Sequence, residues 1–185
     1  MAVVRRTARL ILRPFTRDDT DALAPIYADP RVMAIRKIGV QTREGTADQL
    51  DAIVGHWDRH RFGLWAVIEQ AGSRLIGECG LRYTGPDEAD VELSYGLARD
   101  CWGQGYASEA SVAALDFGFG PLGLARIVAI ARASNERSHR VMRRLGMTLH
   151  NSWTREDGRT RVEYAIGRAD WLARGQAEHR EETTA

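Results

Sequence analysis

The sequence predicts a mixed α/β fold in which a mostly antiparallel sheet contains one parallel strand-helix-strand crossover. The stretch Val91–Leu97 alternates apolar and polar residues, as a half-buried strand does. A helical pattern follows to about Phe117, and Ile127–Ala131 is the short apolar run of a strand buried on both faces. Because a crossover of this kind is right-handed and returns the chain in the same direction, the second strand should lie parallel to the first.

The chain before the crossover supplies a strand, two helices and a hairpin. Proline and Asp-Pro steps end the first strand and the first helix, and a Gly-containing turn at residues 70–73 joins the hairpin strands. The predicted elements are a strand from Leu10 to Pro14, helices from Thr16 to about Tyr27 and from about Thr46 to His60, and strands at about Leu64–Ile68 and Leu75–Arg82; the turn Thr84–Asp87 then leads to the Val91 strand.

After the crossover the pattern predicts one more helix and a closing hairpin. Asn135 is a capping residue and Gly146 a helix-ending residue, so the helix lies between them. Helical spacing turns Ser138, Val141, Met142 and Leu145 inward and Arg137, Arg140 and Arg144 outward. The hairpin strands Ser152–Trp153 and Val162–Ile166 flank the turn Asp157–Gly158.

Length and composition indicate one domain. The 185 residues are 44% hydrophobic and 28% charged, and we expect a single domain over residues 1–174 with a polar, frayed tail over 175–185. A formal net charge of +1 provides no general attraction for nucleic acid. With neither a signal peptide nor a membrane-spanning stretch in the pattern, we expect a cytoplasmic monomer or homodimer with no nucleic-acid or membrane partner.

The cysteines and two histidines are expected to be structural. Cys79 and Cys101 lie in different elements without metal-ligand spacing, so reduced thiols are the default, and no Cys-His arrangement makes Cys101 a nucleophile. His56 and His60 have i, i+4 spacing but lack the glutamate of a His-Glu-x-x-His motif. We therefore predict no metal site.

The segment Trp102–Ala110, between the crossover strands, has the pattern of a phosphate loop. Its two glycines let the backbone approach an anion, and the helix start adds N–H groups and the positive end of the helix dipole. A tight strand-to-helix connection is the alternative. The backbone groups predicted to bind phosphate or pyrophosphate are those of Gly103, Gln104, Gly105, Tyr106, Ala107 and Ser108.

Several motifs occur in a specific order: Thr7–Arg13, Ile76–Leu81, the loop itself, and Asn135-x-x-Ser138 leading to Leu145–Met147. In this order they resemble the GNAT superfamily of acetyl-CoA-dependent N-acyltransferases, most closely its RimJ/RimL-like branch of ribosomal-protein N-terminal acetyltransferases. The resemblance implies a GNAT-type sheet with helices on both faces, and acetyl-CoA as the cofactor. The sequence departs from the family signature at Asp100, where the family has Arg or Gln.

Acyl transfer to an amine needs a neutral amine, a held carbonyl and a protonated leaving thiol. Strand alternation places Glu92 on the face opposite Val91 and Leu93, and the resemblance supports a carboxylate there as the general base. Glu78, on the neighbouring strand, is the reserve candidate. The alternative interpretation of Glu92 is a solvated glutamate.

The resemblance also assigns the remaining site residues. Ser138 is the hydrogen-bond donor to the leaving thiol, where many GNAT enzymes use a tyrosine; the alternative is an ordinary small residue at a helix-sheet contact. Asn135 is assigned to the pantetheine arm, with simple helix capping as the alternative, and the backbone at Tyr95 and Leu97 to the carbonyl and pantetheine. Contact with the 3′-phosphate of CoA is one interpretation of Arg137, Arg140, Arg143 and Arg144, and a solvated surface is the better one. Four large aromatic residues are either core or acceptor-pocket residues: Trp57, Trp65, Tyr83 and Trp153.

These patterns favour an N-acetyltransferase acting on a protein N-terminus, with a small-molecule amine as the alternative acceptor. An α-amine has a pKa of about 7.7–8 and a lysine side chain about 10.4, so a weak base suffices for the α-amine. Two other classes stay open. A dinucleotide-binding protein is one, but the second crossover strand ends in Arg132-Ala133-Ser134 without the required acid, and a non-catalytic CoA-binding module is the other.

Overall fold

The computed structural model describes residues 3–36, 38–84 and 89–183. Two short 3-10 helices, Arg17–Asp19 and Arg99–Cys101, accompany the longer elements. The strands are β1 (Arg5–Arg6), β2 (Leu10–Pro14), β3 (Leu64–Glu69), β4 (Arg74–Thr84), β5 (Asp90–Leu97), β6 (Arg126–Arg132), β7 (Thr148–Thr154) and β8 (Thr160–Gly167), and the helices are α1 (Thr20–Ala28), α2 (Pro30–Met33), α3 (Arg43–His60), α4 (Tyr106–Phe119), α5 (Glu136–Arg144) and α6 (Arg168–Thr183).

The strands form a mixed sheet in the order β1-β2-β3-β4-β5-β6-β8-β7. The strands β5 and β6 pair in parallel, with Glu92 opposite Val128, and α4 connects them. Antiparallel pairing joins β1 to β2, β2 to β3, β3 to β4, β6 to β8 and β7 to β8. The predicted fold class, a mostly antiparallel sheet with one parallel crossover, is therefore confirmed.

Most predicted elements are present, with shifted ends. The helix predicted from Thr46 begins at Arg43, because the Thr42 side chain accepts a hydrogen bond from the Gly45 N–H and caps the helix there. The sequence pattern missed β1 and α2, which are only 2 and 4 residues long, and it also missed the 16-residue helix α6. The predicted turn Thr84–Asp87 lies largely outside the described residues.

Contacts divide the chain into two compact units. The first comprises Met1–Arg82 and Leu93–Ala114, and the second comprises Tyr83–Glu92 and Leu115–Ala185. Apolar residues of α1, α2, α3 and β3 form a core cluster in the first unit: Phe15, Leu23, Ile26, Tyr27, Val32, Met33, Leu50 and Ala66. The single domain predicted over residues 1–174 stays a prediction, and α6 extends past residue 174 to Thr183.

Glycines of the motif Ile76–Leu81 lie where neighbouring strands approach closely. A Cβ at Gly77 would lie 2.1 Å from the Gly96 carbonyl oxygen, and the Gly77 φ of +145° is itself unfavourable for other residues. A Cβ at Gly80 would lie 2.3 Å from the Gly63 carbonyl oxygen. Only glycine fits at either position, and the motif thereby fixes the approach of β4 to the backbones at Gly63 and Gly96.

Candidate active site

The phosphate loop follows the carboxyl end of β5 and leads into α4. Gly103 and Gly105 adopt φ values of +78° and +83°, which favour glycine, and a Cβ at Gly103 would meet no atom within 4 Å. Trp102 Nε1 donates to the Leu97 carbonyl at 2.9 Å, and Gln104 Nε2 donates to the Asp100 carbonyl at 2.8 Å. These bonds fix the loop to the end of β5, with the N–H groups of the first helical turn at its far side.

The Asp100 side chain forms an ion pair with a residue that is distant in sequence. Its carboxylate lies 2.7 Å from Nη1 of Arg74, at the start of β4. The hydrogen bond from Arg74 lowers the pKa of Asp100, so this carboxylate is ionised and its charge is balanced by the guanidinium. Asp100 and Arg99 also line a cavity of about 920 Å³ in the first unit, opposite Ile26 and Val32.

Glu78, the reserve candidate for the general base, is fully buried and already hydrogen-bonded through both oxygens. Tyr27 donates its hydroxyl to one oxygen, and the Arg36 guanidinium forms an ion pair with the other. Burial, followed by the Glu78 charge, raises the pKa of Tyr27 well above its usual range, so the phenol keeps its proton. Both oxygens of Glu78 are thus occupied by hydrogen bonds within the first unit.

Arg36 also contacts the strand that carries the predicted carbonyl and pantetheine groups. A Cβ at Gly96 would overlap the Arg36 guanidinium, so the side chain packs directly on the β5 backbone between Tyr95 and Leu97. The buried carboxylate of Glu78 holds the guanidinium in this position. No local pattern in the sequence indicates these contacts of Arg36, because Glu78 and Gly96 lie in strands 42 or more residues away.

Glu92 is a buried carboxylate in the second unit. Its residue exposure is 9%, in the strand position paired with Val128 of β6. Its neighbours Val91 and Leu93 are 6% and 2% exposed, so this part of β5 is covered on both faces. Burial to this extent does not fit a solvated surface glutamate, since buried carboxylates are rare unless they are paired or functional.

Asn135 and Ser138 form a hydrogen-bonded pair at the start of α5. Asn135 is the N-cap, and its side-chain oxygen accepts from the Ser138 N–H at 3.3 Å, which confirms the capping interpretation. Its Nδ2 donates to Ser138 Oγ at 2.9 Å. Toward Asn135, the Ser138 Oγ is therefore the acceptor and not the donor.

The inward face of α5 differs in part from the prediction. Met142 and Leu145 are 1% exposed, as predicted, whereas Ser138 and Val141 are only half-buried. His139, which the pattern did not single out, is 7% exposed, and its Nε2 donates to the Arg132 carbonyl at 3.1 Å. The arginines predicted to face outward, Arg137, Arg140 and Arg144, are exposed.

The structure distributes the predicted site residues over the two units. The first unit contains Tyr95, Leu97 and the loop residues Gly103, Gln104, Gly105, Tyr106, Ala107 and Ser108. The second contains Glu92, Asn135 and Ser138. The sequence pattern did not single out Arg9 or Glu109, whose side chains meet beside the loop. Arg9 lies in the opening motif Thr7–Arg13, but that motif does not indicate its distant partner.

Both cysteine side chains are shielded from solvent. Burial raises the pKa of Cys79 to about 12 and that of Cys101 to about 11, so both thiols stay protonated near neutral pH. Both are free and buried. Arg74 also donates to Cys101 Sγ at 3.2 Å, which adds the thiol to the Arg74–Asp100 contact.

The histidine and tryptophan side chains serve mainly in packing. His56 Nδ1 donates to the Phe62 carbonyl at 2.8 Å, and its ring stands edge-on to Phe62. Trp65 is fully buried and belongs to the core, whereas Trp153 is 37% exposed on β7. Over residues 3–36, 38–84 and 89–183 there is no group of three or more His, Cys, Asp or Glu side chains placed to hold a metal ion.

Comparison with known proteins identifies the family to which the chain belongs. Residues 9–148 match the family described as the Acetyltransferase (GNAT) domain. The "Uncharacterized N-acetyltransferase YnaD" of Bacillus subtilis is 32% identical over 142 residues, which cover 76% of this chain and 80% of that relative. The chain belongs to the GNAT acetyltransferase family and is an acetyl-CoA-dependent acyltransferase.

Solved structures agree on the fold. A GNAT-family acetyltransferase from Bacillus anthracis superimposes with a TM-score of 0.80 at 26% identity, covering 90% of this chain and 99% of that one. RimL, a ribosomal L7/L12 α-N-protein acetyltransferase in complex with coenzyme A, superimposes with a TM-score of 0.79 at 18% identity, covering 89% and 98%. None of the helices in the described part of the chain has the length and apolar character needed to cross a membrane.

Proposed function

We propose that this acetyltransferase moves an acetyl group from acetyl-CoA directly to the α-amine of a protein or peptide N-terminus. The observation that carries the proposal is that the strand β5 contains the buried carboxylate Glu92 and is followed by a loop in which Gly103 and Gly105 adopt left-handed φ values. Membership of the RimJ/RimL-like branch is part of the same proposal. The structural likeness to RimL supports it, since RimL is described as an α-N-protein acetyltransferase.

The loop fits the pyrophosphate of CoA in its backbone chemistry. Its glycines have left-handed φ values, the space beside Gly103 is open, and the first turn of α4 begins at Tyr106. The N–H groups of residues 103–108 would hold the pyrophosphate, and backbone groups at Tyr95 and Leu97 would hold the pantetheine arm, together with Asn135. When bound, acetyl-CoA supplies the acetyl group in activated thioester form.

Glu92 is assigned as the general base that receives a proton from the acceptor amine, directly or through a water. An α-amine with a pKa of about 7.7–8 is neutral in roughly one molecule in ten at pH 7, whereas a lysine amine is almost entirely protonated. One carboxylate is a modest base, and its strength matches the α-amine better. This difference supports an N-terminal acceptor over a lysine or polyamine.

Ser138 is assigned as the donor that hydrogen-bonds to the sulfur of the leaving group. Its Oγ accepts from Asn135 Nδ2 at 2.9 Å, which directs the hydroxyl hydrogen elsewhere. A thiol has an ordinary pKa of about 8.5, so one well-placed donor is enough to favour its departure near neutral pH. A small-molecule amine, such as an antibiotic or a polyamine, is the alternative acceptor, because the same donor and base would serve it.

The test is a screen of amines and N-terminal peptides with acetyl-CoA, in which mass spectrometry identifies the modified nitrogen. Preferential acetylation of free α-amines is expected. Preferential acetylation of antibiotics or polyamines would replace the proposed acceptor by the alternative. Thermal-shift titration with acetyl-CoA and with NADH adds a control, since stabilisation is expected with acetyl-CoA and not with NADH.

A further inference from the structure

Arg9, at the start of the first long strand, forms a dense contact with the first turn of α4. Its Nε and Nη2 both lie 2.7 Å from Oε2 of Glu109. Its backbone N–H donates to Oε1 of the same carboxylate at 2.8 Å, and the Thr7 hydroxyl donates to Oε1 at 2.5 Å. Glu109 is thereby saturated with donors from the opening motif.

Arg9 also contacts the phosphate loop directly. Its Nη1 donates to the Gln104 carbonyl oxygen at 2.9 Å. The guanidinium lies 4.5 Å from the centre of the Tyr106 ring, within cation–π distance, and a Cβ at Gly105 would lie 3.4 Å from Nη2. One side chain therefore touches three consecutive loop residues.

The bond to Gln104 fixes the direction of a loop N–H. In a trans peptide the C=O of one residue and the N–H of the next point in opposite directions. Because Arg9 binds the Gln104 carbonyl, the N–H of Gly105 is directed away from Arg9. Without that bond the peptide is free to turn its carbonyl toward a bound anion, which the carbonyl dipole would repel.

The ion pair controls the charge at the same place. Glu109 lies in the first turn of α4, where a carboxylate favours the helix dipole but opposes a phosphate bound at that helix end. Burial raises the pKa of Glu109, but the hydrogen bonds from Thr7 and Arg9 outweigh burial and hold the pKa below its usual value. Glu109 is thus negative at neutral pH, and Arg9 neutralises it.

We propose that Arg9 is a positioning residue of the phosphate loop, which sets the affinity for the CoA pyrophosphate by neutralising Glu109 and holding the Gln104 carbonyl outward. The proposal rests on the proposed binding of acetyl-CoA at this loop. At the position of Asp100 the family signature has Arg or Gln. In this protein Arg9, which is distant in sequence, supplies a positive charge next to the loop. Arg9 acts through Gln104 and Glu109 and does not itself touch the phosphates.

The test compares binding of CoA with use of a donor that has no pyrophosphate. For Arg9→Gln, we expect the Kd of CoA, measured by calorimetry, to rise about tenfold, the scale of losing one charge-assisted contact. The value of kcat/KM with acetyl-pantetheine should stay within about twofold of the native enzyme. Arg9→Lys keeps the positive charge but loses the planar set of N–H donors of the guanidinium, so its Kd for CoA should lie between those of Arg9→Gln and the native protein.

A second substitution distinguishes the effect of the uncompensated Glu109 charge from a general loss of structure. Arg9→Gln/Glu109→Gln should recover CoA affinity severalfold relative to Arg9→Gln, because the uncompensated carboxylate is gone. Glu109→Gln alone should bind CoA at least as tightly as the native protein, which keeps the proposal testable if Arg9→Gln folds poorly. The matched control is Arg43→Gln, which removes an exposed arginine paired with Asp21 at 2.7 Å, and its CoA affinity should equal the native value.

The outcomes distinguish this inference from the proposed function. Native CoA affinity in Arg9→Gln, an equal loss with acetyl-pantetheine, or a tenfold loss in Glu109→Gln would each overturn the positioning role. Failure of the native protein to bind CoA would instead overturn the proposed cofactor site. Thermal denaturation of every variant checks that losses in affinity are measured on folded protein.

Discussion

Two side chains at the start of α5 combine a structural and a chemical role. Asn135 caps the helix through its oxygen and binds Ser138 Oγ through its nitrogen. Aspartate caps a helix as well as asparagine does but has no N–H to donate. Asn135→Asp should therefore keep the melting temperature within a few degrees and still lower kcat, and the comparison of thermal denaturation with turnover tests whether the amide matters beyond capping.

The hydroxyl of Ser138 is expected to contribute to the chemical step and not to cofactor binding. In Ser138→Ala we expect kcat to fall about tenfold or more while KM for acetyl-CoA is little changed. Steady-state kinetics with acetyl-CoA varied at saturating acceptor gives both values. An unchanged kcat would remove the donor role from Ser138.

Glu92 is predicted to accept the proton that the acceptor amine loses during acetyl transfer. In Glu92→Gln we expect kcat/KM for the amine to fall about 100-fold at neutral pH and to rise with pH as the amine loses its own proton. The profile of kcat/KM between pH 6 and pH 10 measures this. The control Glu156→Gln changes an exposed turn residue and should leave the pH profile of kcat/KM unchanged. An unchanged profile in Glu92→Gln would show that Glu92 is not the base.

At the scale of single elements, the glycine motif of β4 controls the pairing of neighbouring strands. A side chain at Gly77 would collide with the Gly96 carbonyl, which no side-chain movement can relieve. We expect Gly77→Ala to lower the free energy of unfolding by about 3 kcal/mol or more. In Gly72→Ala the new Cβ would lie 3.8 Å from Glu69 Oε2, an ordinary contact, and the change should stay within about 1 kcal/mol in urea titrations.

The start of α1 is stabilised by an ion pair from β2. Arg13 binds both oxygens of Asp19, at 2.8 and 2.6 Å, and the Thr16 N–H donates to the same carboxylate at 2.8 Å. Burial raises the pKa of Asp19, but these hydrogen bonds outweigh burial and lower the pKa overall. A lowered carboxylate pKa stabilises the fold above the pKa of the unfolded chain, and that stabilisation disappears as pH falls through the folded-state value.

Asp19→Asn should therefore have an effect that depends on pH. At pH 7 we expect a loss of about 1–3 kcal/mol in the free energy of unfolding. The difference from the native protein should shrink as pH falls below about 4 toward the lowered pKa of Asp19 in the folded protein, where the native carboxyl becomes protonated as well. Urea unfolding at pH 7 and pH 3 measures both, and a difference that stays constant between them would contradict the ion-pair explanation.

The sequence predicted those elements whose signal is local. The alternation in β5, the apolar run of β6 and the caps of α5 each depend on neighbours within a few residues, and all three are present. Contacts between distant residues gave no such signal. Asp100 meets Arg74 from 26 positions away, and Arg9 meets Glu109 from 100 positions away, so their roles were visible only in the structure.

At the scale of the whole molecule, the family is better defined than the acceptor. The motifs of the cofactor region position backbone groups and recur across a family, which is why a sequence pattern detects them. We expect the acceptor to be selected by side chains on weakly patterned segments, between α1 and α3 and on the last hairpin. Between α1 and α3 the exposed apolar residues, such as Ile35, Ile38 and Val40, form no sequence motif that identifies a substrate.

The most direct test of the account offers the enzyme one peptide with two amines. A short peptide with a free N-terminus and one internal lysine is incubated with acetyl-CoA, beside the same peptide with a blocked N-terminus, and the modified nitrogen is assigned by fragmentation in mass spectrometry. We predict one acetyl group, on the α-amine, and no reaction of the blocked peptide. Acetylation of the lysine in both peptides would contradict it.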